Sequence, residues 1–326
     1  MKKTAIVNAN SFGRYYPEYI TQLTEEMGPA ERFKFPTDIS SANLAEQLAD
    51  YSFIIIGTEP KLPKEFFEKM PELQLVARFG IGYDNVDVVA ARENGVMVSN
   101  IPAFMERDDV AEFAVSLALS ATKLVTYTAE KVKNGEWAKD RGRYLGHRMI
   151  NKTVGICGFG NIGTRVAEIM NKAFHCEIIC YDPYLSEEEA QKRGGRKVTF
   201  DQLLEESDVI SLHMNSTPEN KGLFNHTAFE KMKNDAVLVN TARGALVNEA
   251  DVVKALNNGE FGTYASDVLE HEPPKEDHPF LNQEKIILTP HIGAYNHECN
   301  QMMCESVVDD IKRVAQGGEP KHLLEK

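Results

Sequence analysis

The sequence predicts an α/β protein built on two doubly wound parallel sheets, and three observations carry that prediction. Short apolar runs alternate with polar helical stretches through residues 3–100. A run rich in β-formers, Thr153 to Cys157, ends in the turn Gly158-Phe159-Gly160-Asn161-Ile162-Gly163 and passes into a segment of helical periodicity. A further series of strand-like runs follows, several of them separated by helical segments. Alternation of this kind makes a parallel sheet covered by helices. With 326 residues the chain is long enough for two such domains, each with its own core.

In the first domain Lys3 to Asn8, Ser52 to Ile56, Leu75 to Arg78 and Val96 to Ser99 read as strands. Ser41 to Asp50 and Lys64 to Met70 read as helices between them, the second stopped by Pro71. After the strand at 75–78 comes Phe79-Gly80-Ile81-Gly82-Tyr83-Asp84-Asn85-Val86-Asp87. That loop is either a plain βα turn or a place where bare amides meet a small anion. Ile101-Pro102 breaks the chain, and Asp109 is expected to cap a helix running to about Lys123. Its apolar residues, Val110, Phe113, Ala114, Leu117, Ala118, Ala121 and Leu124, cover more than one stripe, so it should be buried between domains or subunits. A polar stretch, 133–150, leads into the second domain.

The glycine turn is the strongest local signal. Gly158 allows the tight turn, Gly160 has no Cβ to block a pyrophosphate, and Gly163 lets helix pack on strand. The amides of Asn161 and Ile162 open a helix whose positive end suits phosphate. Glu177 to Tyr181 reads as the next strand, and Asp182 at its end, 19 residues after Gly163, is placed to accept hydrogen bonds from an adenosine ribose. A Rossmann-like dinucleotide site is expected, for NAD rather than NADP, because Asp182 would repel a 2′-phosphate.

Further strands are expected at Val209 to His213, Ala236 to Asn240, Thr263 to Ser266 and Lys285 to Leu288, with helices at Glu249 to Asn257 and 297–316. Three of these strands lead to functional-looking residues. Asn240-Thr241-Ala242 leads to Arg243, Ser266-Asp267-Val268 to Glu272, and Thr289-Pro290 to His291. In an open parallel sheet all carboxyl ends lie along one edge, so Arg243, Glu272 and His291 should converge beside the cofactor.

The 36 basic and 49 acidic residues leave a net charge of −13, which argues against a nucleic-acid or anionic-membrane binder. Only Ala5-Ile6-Val7 follows Met1-Lys2-Lys3, too short for a signal peptide, and no segment is long enough to span a membrane. Five cysteines without CxxC spacing read as reduced, mostly structural thiols of a cytoplasmic protein, and no metal site is expected.

These motifs together resemble the D-isomer-specific 2-hydroxyacid dehydrogenases over essentially the whole chain. The matching residues are Gly158–Gly163 with Asp182, Val239-Asn240-Thr241-Ala242-Arg243-Gly244, Asp267-Val268, Glu272-Pro273, Thr289-Pro290-His291-Ile292-Gly293 and Gly80–Asp87. The resemblance implies a discontinuous substrate domain, 1–101 with 292–326, and an NAD-binding domain, 102–291. It implies a homodimer formed through the cofactor domains, and a small 2-oxo or 2-hydroxy acid as substrate, D-lactate-like acids among them. His291, held protonated by Glu272, would exchange a proton with the substrate oxygen while NADH delivers hydride to C2. Arg243 would grip the carboxylate, and the amides of Ile81 and Gly82 its other oxygen. Asp267 would bind the nicotinamide carboxamide, with His213, Thr217 and Thr241 near the cofactor.

Asn215 stands where the family often has Pro, and Asn151 where Gly is usual. The segment 102–112 is one residue longer than in several branches and unusually charged, which bears on substrate identity. Two alternatives are a phosphoglycerate dehydrogenase-type substrate, met by Arg78 or Arg107, and an NAD-sensing, corepressor-like binding protein. Formate dehydrogenases pair the histidine with Gln, and Glu272 speaks against that branch.

Overall fold

A computed structural model of the chain describes residues 2–137 and 141–324, so residues 138–140 of the polar stretch 133–150 lie outside the described residues. The chain divides into two compact units, residues 1–106 with 295–326, and residues 107–294.

The first unit holds five parallel strands, β1 (Thr4–Val7), β2 (Ala30–Phe33), β3 (Phe53–Ile56), β4 (Leu75–Arg78) and β5 (Met97–Asn100). Their order is β2-β1-β3-β4-β5. β1, β3 and β4 are buried along their whole length, as expected of strands covered on both faces. Successive residues serve opposite layers: Ile54, Ile56 and Val76 pack with Leu44, Phe66 and Phe67. On the sheet, the helix His297–Ala315 lies against β4 and against the helix Glu18–Met27.

β2 was not expected from the sequence. It is an edge strand whose central Glu31 and Arg32 are exposed, so it carries none of the apolar run that marks its neighbours. The helix expected over Lys64 to Met70 covers only Lys64–Phe67, with Pro63 before it.

The second unit holds seven parallel strands: β6 (Thr153–Cys157), β7 (Glu177–Tyr181), β8 (Arg196–Lys197), β9 (Val209–Leu212), β10 (Val237–Asn240), β11 (Thr263–Ser266) and β12 (Ile286–Leu288). Their order, β12-β11-β10-β9-β6-β7-β8, reverses direction at β6 and β9, the switch point where such sheets take ligands. Alternation is again visible within single strands. Leu238 of β10 joins Phe224, Phe229 and Phe261 on one face, while Val237 and Val239 join Ala118 and Val166 on the other. β8 also escaped the sequence reading, because two charged residues at a sheet edge have no apolar pattern.

The helix Arg107–Lys123 buries Val110, Ala111, Ala114, Leu117 and Ala118 against the helix Asn161–Phe174 and against β10 and β11. It starts three residues earlier than expected, so Asp109 lies in its first turn rather than at the cap. There a carboxylate still complements the positive end of the helix.

Candidate active site

The strand pairing of the second unit lines up the predicted residues. Cys157 pairs with Tyr181 and Leu212, Leu212 with Asn240, Asn240 with Ser266, and Ser266 with Leu288. The next residue of each strand therefore falls in one row: Asp182, Gly158, His213, Thr241, Asp267 and Thr289. The ladder continues into that row, with the amides of Gly158, His213, Asp267 and Thr289 donating to the carbonyls of Tyr181, Cys157, Asn240 and Ser266 at 2.8–2.9 Å.

At the centre of the row, the glycine turn is shaped by close contacts. Gly158 has φ +90, and a Cβ there would lie 2.8 Å from the His213 carbonyl group. A Cβ on Gly163 would lie 2.2 Å from the carbonyl oxygen of Gly158. Gly160 differs: a Cβ there would meet nothing within 4 Å, so no protein atom requires the glycine. That is the pattern expected where a pyrophosphate approaches the backbone. Asn161, Ile162 and Gly163 then open a helix with no side chain capping its start, leaving amides and the positive dipole end for an anion.

Asp182 is bonded within the protein through both carboxylate oxygens. Its Oδ2 accepts from the Phe159 amide at 2.9 Å and its Oδ1 from the Tyr184 amide at 3.0 Å, which ties β7 to the glycine turn. Arg193 Nη1 donates to the Phe159 carbonyl at 2.6 Å and anchors the turn from the other side. Arg193 carries no motif signal, and only the tertiary structure identifies it.

His213 and Thr241 each carry an orphan. The Nδ1 of His213 and the Oγ1 of Thr241 are shut off from solvent with no hydrogen-bond partner in the protein. Since leaving a buried polar atom unpaired costs about 1–3 kcal/mol, two at the mouth of one sheet fit a polar ligand that completes them. The other ring nitrogen of His213 shares a 2.8 Å hydrogen bond with the Ser211 hydroxyl, and burial pushes the imidazole down to about 3. Thr217 lies four residues further along the same loop, its amide donating to Asn220 Oδ1 at 2.7 Å.

Glu272 and His291 meet directly, with Oε2 2.7 Å from Nδ1. The other oxygen of Glu272 accepts from the Leu269 amide at 2.9 Å. Burial pushes the Glu272 carboxyl up, but His291, the Leu269 amide and the charge of Arg243 together hold it below the usual carboxylate range. Arg243 is thus close enough to be felt by the pair. Its loop is fixed by the fully buried Asn240, which accepts from the Ala242 amide and donates to the Arg243 carbonyl, both at 3.0 Å. His291 has a left-handed backbone, φ +55, with its amide donating to the Asp267 carbonyl at 2.9 Å. Its side chain remains partly exposed. Of the remaining predicted residues, Ile81 and Gly82 belong to the first unit, in the loop after β4, where Asn100 Nδ2 donates to the Ile81 carbonyl at 2.6 Å.

Comparison with known proteins identifies the family of the chain. Residues 115–293 match the family model described as "D-isomer specific 2-hydroxyacid dehydrogenase, NAD binding domain". A D-3-phosphoglycerate dehydrogenase of Archaeoglobus fulgidus is 35% identical over 281 residues, covering 86% of this chain and 53% of that protein. The chain thus spans about half the length of that relative. A glyoxylate reductase of Thermococcus litoralis is 32% identical over 318 residues, covering 96% of this chain and 95% of that protein. Among solved structures, apo D-lactate dehydrogenase from Escherichia coli superposes with a TM-score of 0.83 at 27% identity, covering 99% of both chains.

Two predictions arise from the glycine turn and from His213. Gly160→Ala should fold with stability within about 1 kcal/mol of wild type, since its Cβ enters open space, yet weaken NADH binding. Gly163→Ala should lower stability itself. Thermal unfolding and NADH fluorescence titration of both variants separate the two effects; equal NADH affinity in Gly160→Ala would remove the pyrophosphate from that position. As for His213, an unfolded imidazole takes up a proton below about pH 6.5, whereas the folded one resists until about 3. Stability should therefore fall as pH drops through that window, by at most about 1.4 kcal/mol per pH unit from this residue. The residue keeps some solvent-exposed surface, so the observed slope should lie below that limit. Urea unfolding of the apoprotein between pH 4.5 and 6.5 should show a shallower slope in His213→Gln; parallel slopes would contradict the assignment.

Proposed function

Because the chain belongs to the D-isomer-specific 2-hydroxyacid dehydrogenase family, we propose that it is an NAD-dependent oxidoreductase that interconverts a small 2-oxo acid and the D-2-hydroxy acid. The observation that carries this reading is the Glu272–His291 pair, with Arg243 beside it, at the sheet edge that also bears the glycine turn.

When bound, NADH supplies the hydride that C2 of the oxo acid receives. Gly158, Gly160, Asn161, Ile162 and Gly163 would hold its pyrophosphate, Asp182 its adenosine ribose, and His213, Thr217, Thr241 and Asp267 the remainder. The carboxylate of Glu272 accepts the Nδ1 proton of His291, which fixes the ring and leaves Nε2 as the acid. Nε2 gives its proton to the oxo oxygen in reduction and takes it back in oxidation. Arg243, planar and permanently charged, clamps the substrate carboxylate and draws electron density from the carbonyl. The amides of Ile81 and Gly82, in a first unit that serves as substrate domain, are assigned to the same carboxylate.

An unphosphorylated acid, D-lactate-like in size, is favoured over a phosphoglycerate-type substrate. Of the two arginines offered for a phosphate, Arg78 is buried with Nη1 donating to the Phe79 carbonyl, and Arg107 Nε lies 3.0 Å from Asp108. Asp182 favours NAD over NADP. A cytoplasmic homodimer formed through the second unit completes the reading. It is supported by the helix Val125–Lys133, which has no buried residue, and by exposed Val125, Trp137, Leu145 and Ile150 in and after it.

The direct test is NADH oxidation across pyruvate, larger aliphatic and aromatic 2-oxo acids, glyoxylate, hydroxypyruvate and phosphohydroxypyruvate, with the product's configuration determined. Turnover is expected with an unphosphorylated acid and a D product. Preference for phosphohydroxypyruvate would favour the phosphoglycerate-type reading, and tight NADH binding without turnover the corepressor-like one. Arg243→Lys keeps the charge but loses the two-pronged fit, so kcat/KM should fall about ten- to hundredfold. An unchanged value would take the carboxylate away from Arg243. Asp182→Ala should narrow the preference for NADH over NADPH, measured as kcat/KM; equal wild-type use of both cofactors would overturn the NAD assignment.

A further inference from the structure

We propose that Asp267 is a positioning residue for His291, pinning the backbone on both sides of the catalytic imidazole; this rests on the role given to His291 above. The Asp267 carboxylate is almost fully buried, 2% exposed, and both its oxygens are already in use within the protein. Oδ1 accepts from the Thr289 hydroxyl at 2.6 Å and from the Ile292 amide at 3.0 Å. Oδ2 accepts from the Gly293 amide at 2.7 Å. The main-chain carbonyl of the same residue accepts from the His291 amide at 2.9 Å.

Four donors, from Thr289, His291, Ile292 and Gly293, thus converge on one residue. Only an ionised carboxylate offers acceptors at both side-chain positions; an amide would turn an N–H₂ group toward one of those donors. The bonds straddle His291, which sits in the left-handed backbone conformation that aims its ring at Glu272. Such a conformation persists only where neighbouring bonds over-determine it. Accepting a hydrogen bond from a cofactor amide would therefore be an added duty of Asp267, not the sole one.

The experiment compares Asp267→Asn, Thr289→Val and Thr289→Ser with wild type for kcat, for KM and for the NADH dissociation constant measured by fluorescence. Positioning predicts that Asp267→Asn lowers kcat about ten- to hundredfold while NADH affinity changes less than about threefold. Thr289→Val should lower kcat in the same sense, and Thr289→Ser, which keeps the hydroxyl, should restore it. Weaker NADH binding with kcat retained in Asp267→Asn would overturn the proposal, as would a wild-type kcat in Thr289→Val. If Asp267→Asn does not fold, the Val and Ser pair at Thr289 decides alone. A readout independent of turnover is the modification rate of His291 by diethylpyrocarbonate, followed by peptide mass spectrometry. It should rise in Asp267→Asn and Thr289→Val as the contact with Glu272 loosens, and an unchanged rate counts against positioning. His291→Asn serves as control: wild-type turnover in that variant would sink the functional reading, whereas the modification rates still test the positioning.

Discussion

The parallel register of β6, β7 and β9–β12 is the constraint on which the rest of the second unit depends. Side chains alternate along a strand, so a slip of one residue would move every side chain of that strand into the opposite core layer and shift its exit residue out of the common row. What holds the register is the apolar pattern. Val237 and Val239 must face one layer and Leu238 the other, with both layers almost closed to solvent. Burying a side chain of this size contributes about 1.5–3 kcal/mol, more than a typical neutral hydrogen bond at about 0.5–1.5 kcal/mol. The core therefore decides which residues leave the sheet along this edge.

Beyond the strand ends, order comes from polar groups that satisfy one another. Asn240 and Ser266 are fully buried at the ends of β10 and β11. Asn240 fastens the Arg243 loop, while Ser266 Oγ donates to the Val268 carbonyl at 2.7 Å and so shapes the start of the loop that carries Glu272. The two loops touch at Gly244, where a Cβ would lie 2.0 Å from the Leu269 carbonyl carbon. Against this background the lone atoms of His213 and Thr241 are informative. Both lie directly after strand ends, in the row that also holds Gly158 and Asp267.

The left-handed residue at His291 has a cost, about 1–2 kcal/mol for an ordinary residue and less for those with short polar side chains. It sits where the chain leaves β12 and must turn back under Asp267. The conformation of this residue is held by the bonds around it, an arrangement that recurs at functional sites.

Much of this was legible in the sequence, for physical reasons. Buried parallel strands need apolar residues on both faces, so β1, β3, β4, β6, β9 and β10 stood out, as did the glycine turn, whose contacts exclude a Cβ at Gly158 and Gly163. Loops that leave the carboxyl ends of such strands all start from one edge, which is why the sequence points to Arg243, Glu272 and His291 lying together. The edge strands β2 and β8 were not legible, because an exposed strand carries charge where a buried one carries pattern. Nor were Arg193 on the Phe159 carbonyl, Asn240 as the fastening of the Arg243 loop, or the donors gathered by Asp267. Those are side-chain bonds to backbone between segments distant in sequence. Periodicity reports burial and spacing reports turns, but which donor meets which acceptor is decided only when the packed sheet brings their loops within hydrogen-bonding distance.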